Sequence, residues 1–187
     1  MRIIGGNFKG KKILEPKDKE TRPLKDLTKE SIFNIINHSN KFSVELEKSY
    51  VLDLFSGTGS FGLECLSRKA KYVCFVENYI GILPILKNNL SNLKTVKNYS
   101  IIEKNILIDI DFLEKKEKFD IIFLDPPYKY KDLEVLIERI YSNKILNTKG
   151  IIIMHRHKKE KDIFPKKINI IEEKKYGISK IIFVTLN

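Results

Sequence analysis

The chain has 187 residues, 42% hydrophobic and 10% aromatic, which suits one domain of ordinary size with a sizeable core and excludes disorder. Its 35 Lys and Arg against 24 Asp and Glu leave a formal charge of +11, the balance of a protein that meets a polyanion such as nucleic acid or an anionic membrane surface. The apolar runs are strand-sized, the opening MRIIGGNFKG lacks the apolar core of a secretory signal, and Cys65 and Cys74 are too few for a disulfide framework, so a cytoplasmic protein without a membrane span is expected.

The charge is uneven. Residues 1–30 carry nine Lys and Arg against five acids, and residues 155–175 carry eight against four. Residues 2–14 read as a short hairpin, with turn signals at Gly5-Gly6 and Lys9-Gly10, and Pro16 ends it. From Asp26 to Ile36 the spacing of Leu27, Ile32, Phe33, Ile35 and Ile36 predicts an amphipathic helix, with Asp26 as N-cap and Lys29 and Glu30 facing solvent. The pattern then changes. Tyr50–Phe55 is a predicted strand, residues 56–59 a glycine loop, and Ser60 to Arg68 a helix. Lys71–Val76 is a second strand. A helix spans Tyr79 to Leu90, starting late or kinking because of Pro84. Tyr99–Glu103 is a third strand, and Asp109–Lys116 a short helical or turn segment. Phe119–Leu124 is a fourth strand, Lys131–Ser142 a helix, and Gly150–Met154 a fifth strand. Residues 167–173 and 178–186 form a closing antiparallel pair around Tyr176-Gly177. Strands alternating with helices imply an α/β fold, a mostly parallel sheet covered on both faces with its ligand at the carboxyl ends of the strands.

Two segments carry chemistry. In Val51-Leu52-Asp53-Leu54-Phe55-Ser56-Gly57-Thr58-Gly59-Ser60-Phe61-Gly62, the glycines fit the G-x-G-x-x-G pattern, and Gly57 and Gly59 let the backbone approach a ligand. Asp53 lies inside the strand, where its charge is awkward beside a pyrophosphate and suits a sulfonium or an amino group. Glu77 ends the second strand and is placed to accept both hydroxyls of a ribose, a feature that NAD and S-adenosylmethionine share. The second segment is Asp125-Pro126-Pro127-Tyr128. Its prolines supply no N–H donors, so the turn presents carbonyls and a carboxylate, all acceptors. Such a turn grips the N–H bonds of a nucleobase amine and stabilises the charge that builds on nitrogen, while Tyr128 stacks on the base.

On these residues the chain resembles the S-adenosylmethionine-dependent methyltransferases that act on amino groups. Within them it is similar to the bacterial small-subunit (16S) ribosomal RNA guanine(966)-N2 methyltransferase family, essentially end to end. The likeness runs through Arg2-Ile3-Ile4-Gly5-Gly6, Lys9-Gly10-Lys11, Thr21-Arg22-Pro23, Lys29-Glu30-Ser31-Ile32-Phe33-Asn34, Val51 to Arg68, Phe75-Val76-Glu77, the Asp125 turn and Tyr176-Gly177. The resemblance implies a Rossmann-like methyltransferase fold over residues 41–187: a mostly parallel seven-stranded sheet with an antiparallel C-terminal strand. Residues 1–40 would form a hairpin and helix extension. It implies that Asp53, Phe55, Gly57, Gly59, Glu77, Asn105, Ile106 and Asp125 hold S-adenosylmethionine, which leaves as S-adenosylhomocysteine. Asp125, Pro126 and Tyr128 would hold and stack the guanine. Arg2, Lys9, Lys11, Lys12 and Arg22 would meet the RNA, a 16S ribosomal RNA in a small-subunit particle, and a monomer is expected. The chain departs from the family pattern at Leu24, at Leu27-Thr28-Lys29, and at His155, where members often carry Glu.

The remaining motifs point elsewhere. His38, His155 and His157 make no metal set with Cys65 and Cys74, so no metal is expected, and His155-Arg156-His157 reads as a solvated or RNA-facing basic tail. Both cysteines read as core thiols, and Ser60 as a helix cap. Adenine-N6 methylation of DNA would use the same turn but lacks a target-recognition domain here. Protein glutamine methylation usually has Asn in place of Asp125. An NAD-dependent oxidoreductase would leave Asp53 and the proline turn unexplained, and a non-catalytic RNA-binding protein would leave the acceptor cluster unused.

Overall fold

The apolar runs predicted as strands pair side by side in a computed structural model, which describes residues 1–16, 24–106, 108, 110, 118–127 and 130–186. The strands are β1 (Tyr50–Leu54), β2 (Tyr72–Val76), β3 (Tyr99–Ile102), β4 (Phe119–Leu124), β5 (Leu146–His157), β6 (Ile168–Tyr176) and β7 (Ser179–Leu186). They form one sheet in the order β3-β2-β1-β4-β5-β7-β6. β1 to β5 are parallel, and β7 inserts antiparallel between β5 and β6. The chain winds outward from β1 to β3, then returns to lay β4 on the other side of β1. That reversal opens a crevice at the carboxyl ends of β1 and β4, where ligands of such sheets bind. This is the Rossmann-like arrangement the sequence implies, with its antiparallel C-terminal strand.

Because side chains alternate along a strand, the sheet buries two apolar layers. Val51, Phe123 and Ile153 face one side, where they pack against α1 (Asp26–His38), α2 (Ser60–Ser67) and α3 (Leu83–Ser91). Leu52, Ile122 and Ile152 face the other, against Leu136, Ile137 and Ile140 of α4 (Leu133–Ser142). Each such side chain, fully buried, stabilises the fold by about 1.5–3 kcal/mol. A run of stacked rings, Phe33 on Phe61 (5.4 Å) and Phe61 on Phe123 (4.1 Å), ties α1 through α2 to β4.

The N-terminal hairpin forms as a tight loop. Arg2 and Lys12 make an antiparallel bridge, and the N–H groups of Ile3 and Gly10 donate to the carbonyls of Lys11 and Ile3 at 2.9 and 2.8 Å. Most of the predicted element at Asp109–Lys116 lies outside the described residues. α3 starts late, at Leu83, with Pro84 in its first turn, where a missing N–H costs nothing.

Three expectations are corrected. Lys29 does not face solvent: it is wholly buried, while Leu27, placed on the apolar face by the sequence, is 68% exposed. Asp26 is the first helical residue, and Lys25 takes the N-cap place. β5 runs on through His157 instead of stopping at Met154, so His155 and Arg156 are buried strand residues and no basic tail.

Candidate active site

The glycine loop follows β1 and turns into α2. Phe55 opens it in the left-handed region at φ 59°, and Gly59 sits at φ 80° just before the helix. A left-handed bulky residue stores about 1–3 kcal/mol of strain, a kind that clusters at ligand sites. A side chain at Gly59 would also come within 2.6 Å of Leu86 Cδ1. Gly62 matters for closeness instead. A Cβ there would lie 2.2 Å from the Phe75 ring and 3.0 Å from Asp53 Oδ2, so only glycine lets α2 settle onto the end of β1. Ser60, expected as a cap, makes no cap bond, and its hydroxyl meets Met1 Sδ at 3.1 Å.

Asp53 is 1% exposed, and its Oδ2 accepts the Gly62 N–H at 3.0 Å. Burial pushes its carboxyl well above the usual carboxylate range. The Gly62 bond opposes that, and the charges of Asp125 and Glu77 add to it. Glu77 stands beside the loop from the end of β2. Its Oε2 accepts the Gly57 N–H, and its Oε1 those of Asn78 and Tyr79, each at 2.8 Å. The Ser56 hydroxyl donates to the Asp53 carbonyl at 2.6 Å and lies 3.1 Å from that of Val76, closing β1 against β2. Ile106 is buried in the same apolar layer as Leu52 and Leu54, and Asn105, half-buried, precedes it on the segment after β3.

Asp125 follows β4 directly. Leu124 is in register with Leu54, and the Asp125 N–H points to the Leu54 carbonyl at 3.4 Å. The acceptor turn and the glycine loop therefore leave neighbouring strands at the same end of the sheet. Pro126 is buried and Pro127 exposed; Tyr128, the expected stacking residue, lies outside the described residues. Beyond the turn, Tyr130 donates its N–H to Pro127 at 2.8 Å and packs its ring 5.8 Å from Phe55. Arg156 supports this return, donating to the Tyr130 carbonyl at 3.0 Å and to Asp162 at 2.8 Å.

Two features escape the sequence reading. His155 Nδ1 lies 2.9 Å from Asp125 Oδ1, and its Nε2 lies 2.9 Å from Ser179 Oγ. The alternation Ile151, Ile153, His155 on one face of β5 was the signal for it. Asn89 of α3 is buried and bridges the N-terminal extension to the loop. Its side chain accepts the Leu14 N–H at 2.8 Å and donates to the Leu14 and Thr58 carbonyls at 3.1 and 3.0 Å.

Of the expected RNA contacts, Arg2, Lys9 and Lys12 are exposed, with Arg2 bonded to Asp26 at 3.2 Å. Lys11 is already engaged, donating to the Asn92 carbonyl. Arg22 lies outside the described residues. Among the described residues, no group of three His, Cys, Asp or Glu side chains is arranged to hold a metal, and both cysteines are buried thiols. No described helix is long and apolar enough to cross a membrane.

The sequence pattern of the family described as conserved hypothetical protein 95 matches residues 1–185. A Haemophilus influenzae protein named ribosomal RNA small subunit methyltransferase D is 33% identical over 182 residues, covering 95% of this chain and 90% of its own. The Escherichia coli K12 protein of the same name is 31% identical over 153 residues, covering 81% and 72%. A solved Escherichia coli chain, yhhF, is 27% identical, covers 98% of this chain and 96% of its own, and superposes with a TM-score of 0.81.

Proposed function

The chain belongs to the conserved hypothetical protein 95 family and, within it, to the small-subunit ribosomal RNA methyltransferase D group, and we propose that it transfers a methyl group from S-adenosylmethionine to the exocyclic N2 of a guanine in 16S ribosomal RNA. The observation that carries this reading is the register of Leu54 with Leu124, which brings the Asp125 turn and the glycine loop to one end of the sheet.

The residues present fit the donor. Asp53 and Glu77 are buried carboxyl groups whose described hydrogen bonds come from backbone N–H groups, so neither is paired with a cation of the protein, and a bound cation would favour the charged form of Asp53 that burial disfavours. That suits a ligand with a positive sulfonium and amino group, and Glu77 would accept the ribose hydroxyls. When bound, S-adenosylmethionine supplies an electrophilic methyl, the C–S electron pair staying on sulfur as a neutral thioether. Asp125 accepts an N–H of the guanine amine and aims its nitrogen. As that nitrogen gains the methyl and a positive charge, the carboxylate stabilises the charge, and one N–H proton leaves to Asp125 or to water. Pro126 and Pro127 offer no competing donors. The guanine must leave its stack to enter, and Tyr128 would hold its face. Lys9, Lys12 and Arg2 collect RNA phosphate, a separate task from that of the acidic cleft.

The test is methyl transfer to small-subunit particles from cells lacking the enzyme, and to the naked RNA, followed by mapping of the product. N2-methylguanine at one site is expected. A methylated adenine, or no product on either substrate, overturns the reading.

A further inference from the structure

His155 is a chemically specific side chain placed against the acceptor carboxylate. Met154 pairs with Leu124 across β5 and β4, so the next residue of each strand, His155 and Asp125, meet just past the last pair. His155 is 5% exposed, whereas the Asp125 side chain is 22% exposed. The histidine thus holds Asp125 Oδ1 from within the protein and leaves the carboxylate open on the cleft side. Its other nitrogen meets Ser179, whose hydroxyl can accept from a charged ring or donate to a neutral one.

We propose that His155 is a positioning residue for methyl transfer: it fixes one oxygen of Asp125 so that the other meets the substrate amine, and its charge sets how much negative potential Asp125 offers that amine. The proposal rests on the methyltransferase reading. A carboxylate free to rotate would leave the amine misaimed, and misplacement by about 1 Å costs on the order of 100-fold in rate.

Among the described residues, Asp125 and Arg156 are the charged groups that act on the ring. Asp125 faces it from β4. Arg156, its neighbour on β5, bonds Asp162 and the Tyr130 carbonyl. Lys180 of β7 bonds Asp162 at 2.9 Å and the Glu160 carbonyl at 2.6 Å. Asp53 of β1 accepts from Gly62, and on β6 the Tyr176 hydroxyl bonds Ser31 of α1. Burial lowers the affinity of His155 for a proton, but the charge and hydrogen bond of Asp125 outweigh burial and the opposing charge of Arg156, so its pKa lies above the ordinary 6.5. Below that pKa the imidazolium offsets part of the Asp125 charge. Above it the full charge is available to the nitrogen that turns positive in the transition state.

The experiment is single-turnover methyl transfer to unmethylated small-subunit particles at saturating S-adenosylmethionine across about pH 6–9, paired with a ring-proton NMR titration of His155. The wild-type rate is expected to rise through one inflection above pH 6.5. His155→Asn, which keeps a donor near the Nδ1 position, loses the inflection while holding the rate within about threefold; His155→Ala loses the inflection and about 10- to 100-fold in rate, with S-adenosylmethionine affinity unchanged. In the NMR titration, Asp125→Asn lowers the His155 pKa. A wild-type inflection retained in His155→Asn, or a His155 titration indifferent to Asp125→Asn, overturns the proposal. A wild type that transfers no methyl at any pH defeats the methyltransferase reading instead, and the NMR arm still decides whether the pair exists.

Discussion

Asp53 and Glu64 are both buried carboxylates at α2, Asp53 bonded to its Gly62 and Glu64 carried on the helix itself, and their surroundings are opposite. Glu64 accepts from Arg68 at 2.8 Å and from the Ile4 N–H at 2.8 Å, with the Lys29 ammonium 3.9 Å away. Arg68 in turn lies over the Phe33 ring, 4.6 Å from its centroid. Asp53 and Glu77 have backbone N–H partners and, among the described residues, no Lys or Arg within ion-pair distance. The difference separates scaffold from site. Where the protein needs a buried acid for architecture it brings cations, here to pin the N-terminal extension to α2. At the cleft it leaves the charge to be met by what binds.

The largest expected effect is at the cleft. Asp125→Ala should lower single-turnover methyl transfer by about 100- to 1,000-fold while S-adenosylmethionine affinity changes little, because the missing interaction is made with the reacting amine. Wild-type turnover in that variant would dissolve the division between cleft and scaffold.

Glu64→Ala removes the carboxylate that Arg68 bonds and leaves the buried Lys29 with Asp26 at 3.6 Å and the Arg2 carbonyl, and should cost about 3 kcal/mol in urea unfolding. Asp53→Asn should behave oppositely. A carboxyl whose folded pKa is raised contributes stability that is complete below its unfolded pKa and is lost as pH rises through the folded pKa. Replacing it should therefore leave the protein at least as stable at neutral pH, with the advantage vanishing in acid. Equal losses for the two variants would mean that Asp53 and Glu64 play the same structural part. The smallest effect belongs to the outer surface. Lys9→Ala with Lys12→Ala should flatten the salt dependence of RNA binding by about 0.7 for each phosphate no longer neutralised, and adding Lys11→Ala should change it less, since Lys11 is tied to the Asn92 carbonyl.

What the sequence disclosed follows the reach of its signals. β4 was legible to the residue because an apolar run ending in Asp-Pro-Pro has one reading. The glycine loop was legible because glycine spacing is local. The burial of Lys29 is not legible because two of the groups that receive it, the Arg2 carbonyl and Glu64, come from other elements, and periodicity sorts residues by polarity without knowing that a buried cation can be paired. The end of β5 failed for the same reason: His155 and Arg156 look like a solvated tail until Asp125, Ser179 and Asp162 arrive from other elements. Asn89 carried no signal at all, since its role is to join two backbones distant in sequence.

Calorimetric titration with S-adenosylmethionine and with NAD decides whether the glycine loop and its two acids form a methyl-donor site. One binding site for S-adenosylmethionine is expected, with no heat from NAD and affinity for S-adenosylmethionine weakened about tenfold, or about 1.4 kcal/mol, in Asp53→Asn. Saturable binding of NAD, or S-adenosylmethionine bound equally by wild type and Asp53→Asn, would contradict this expectation.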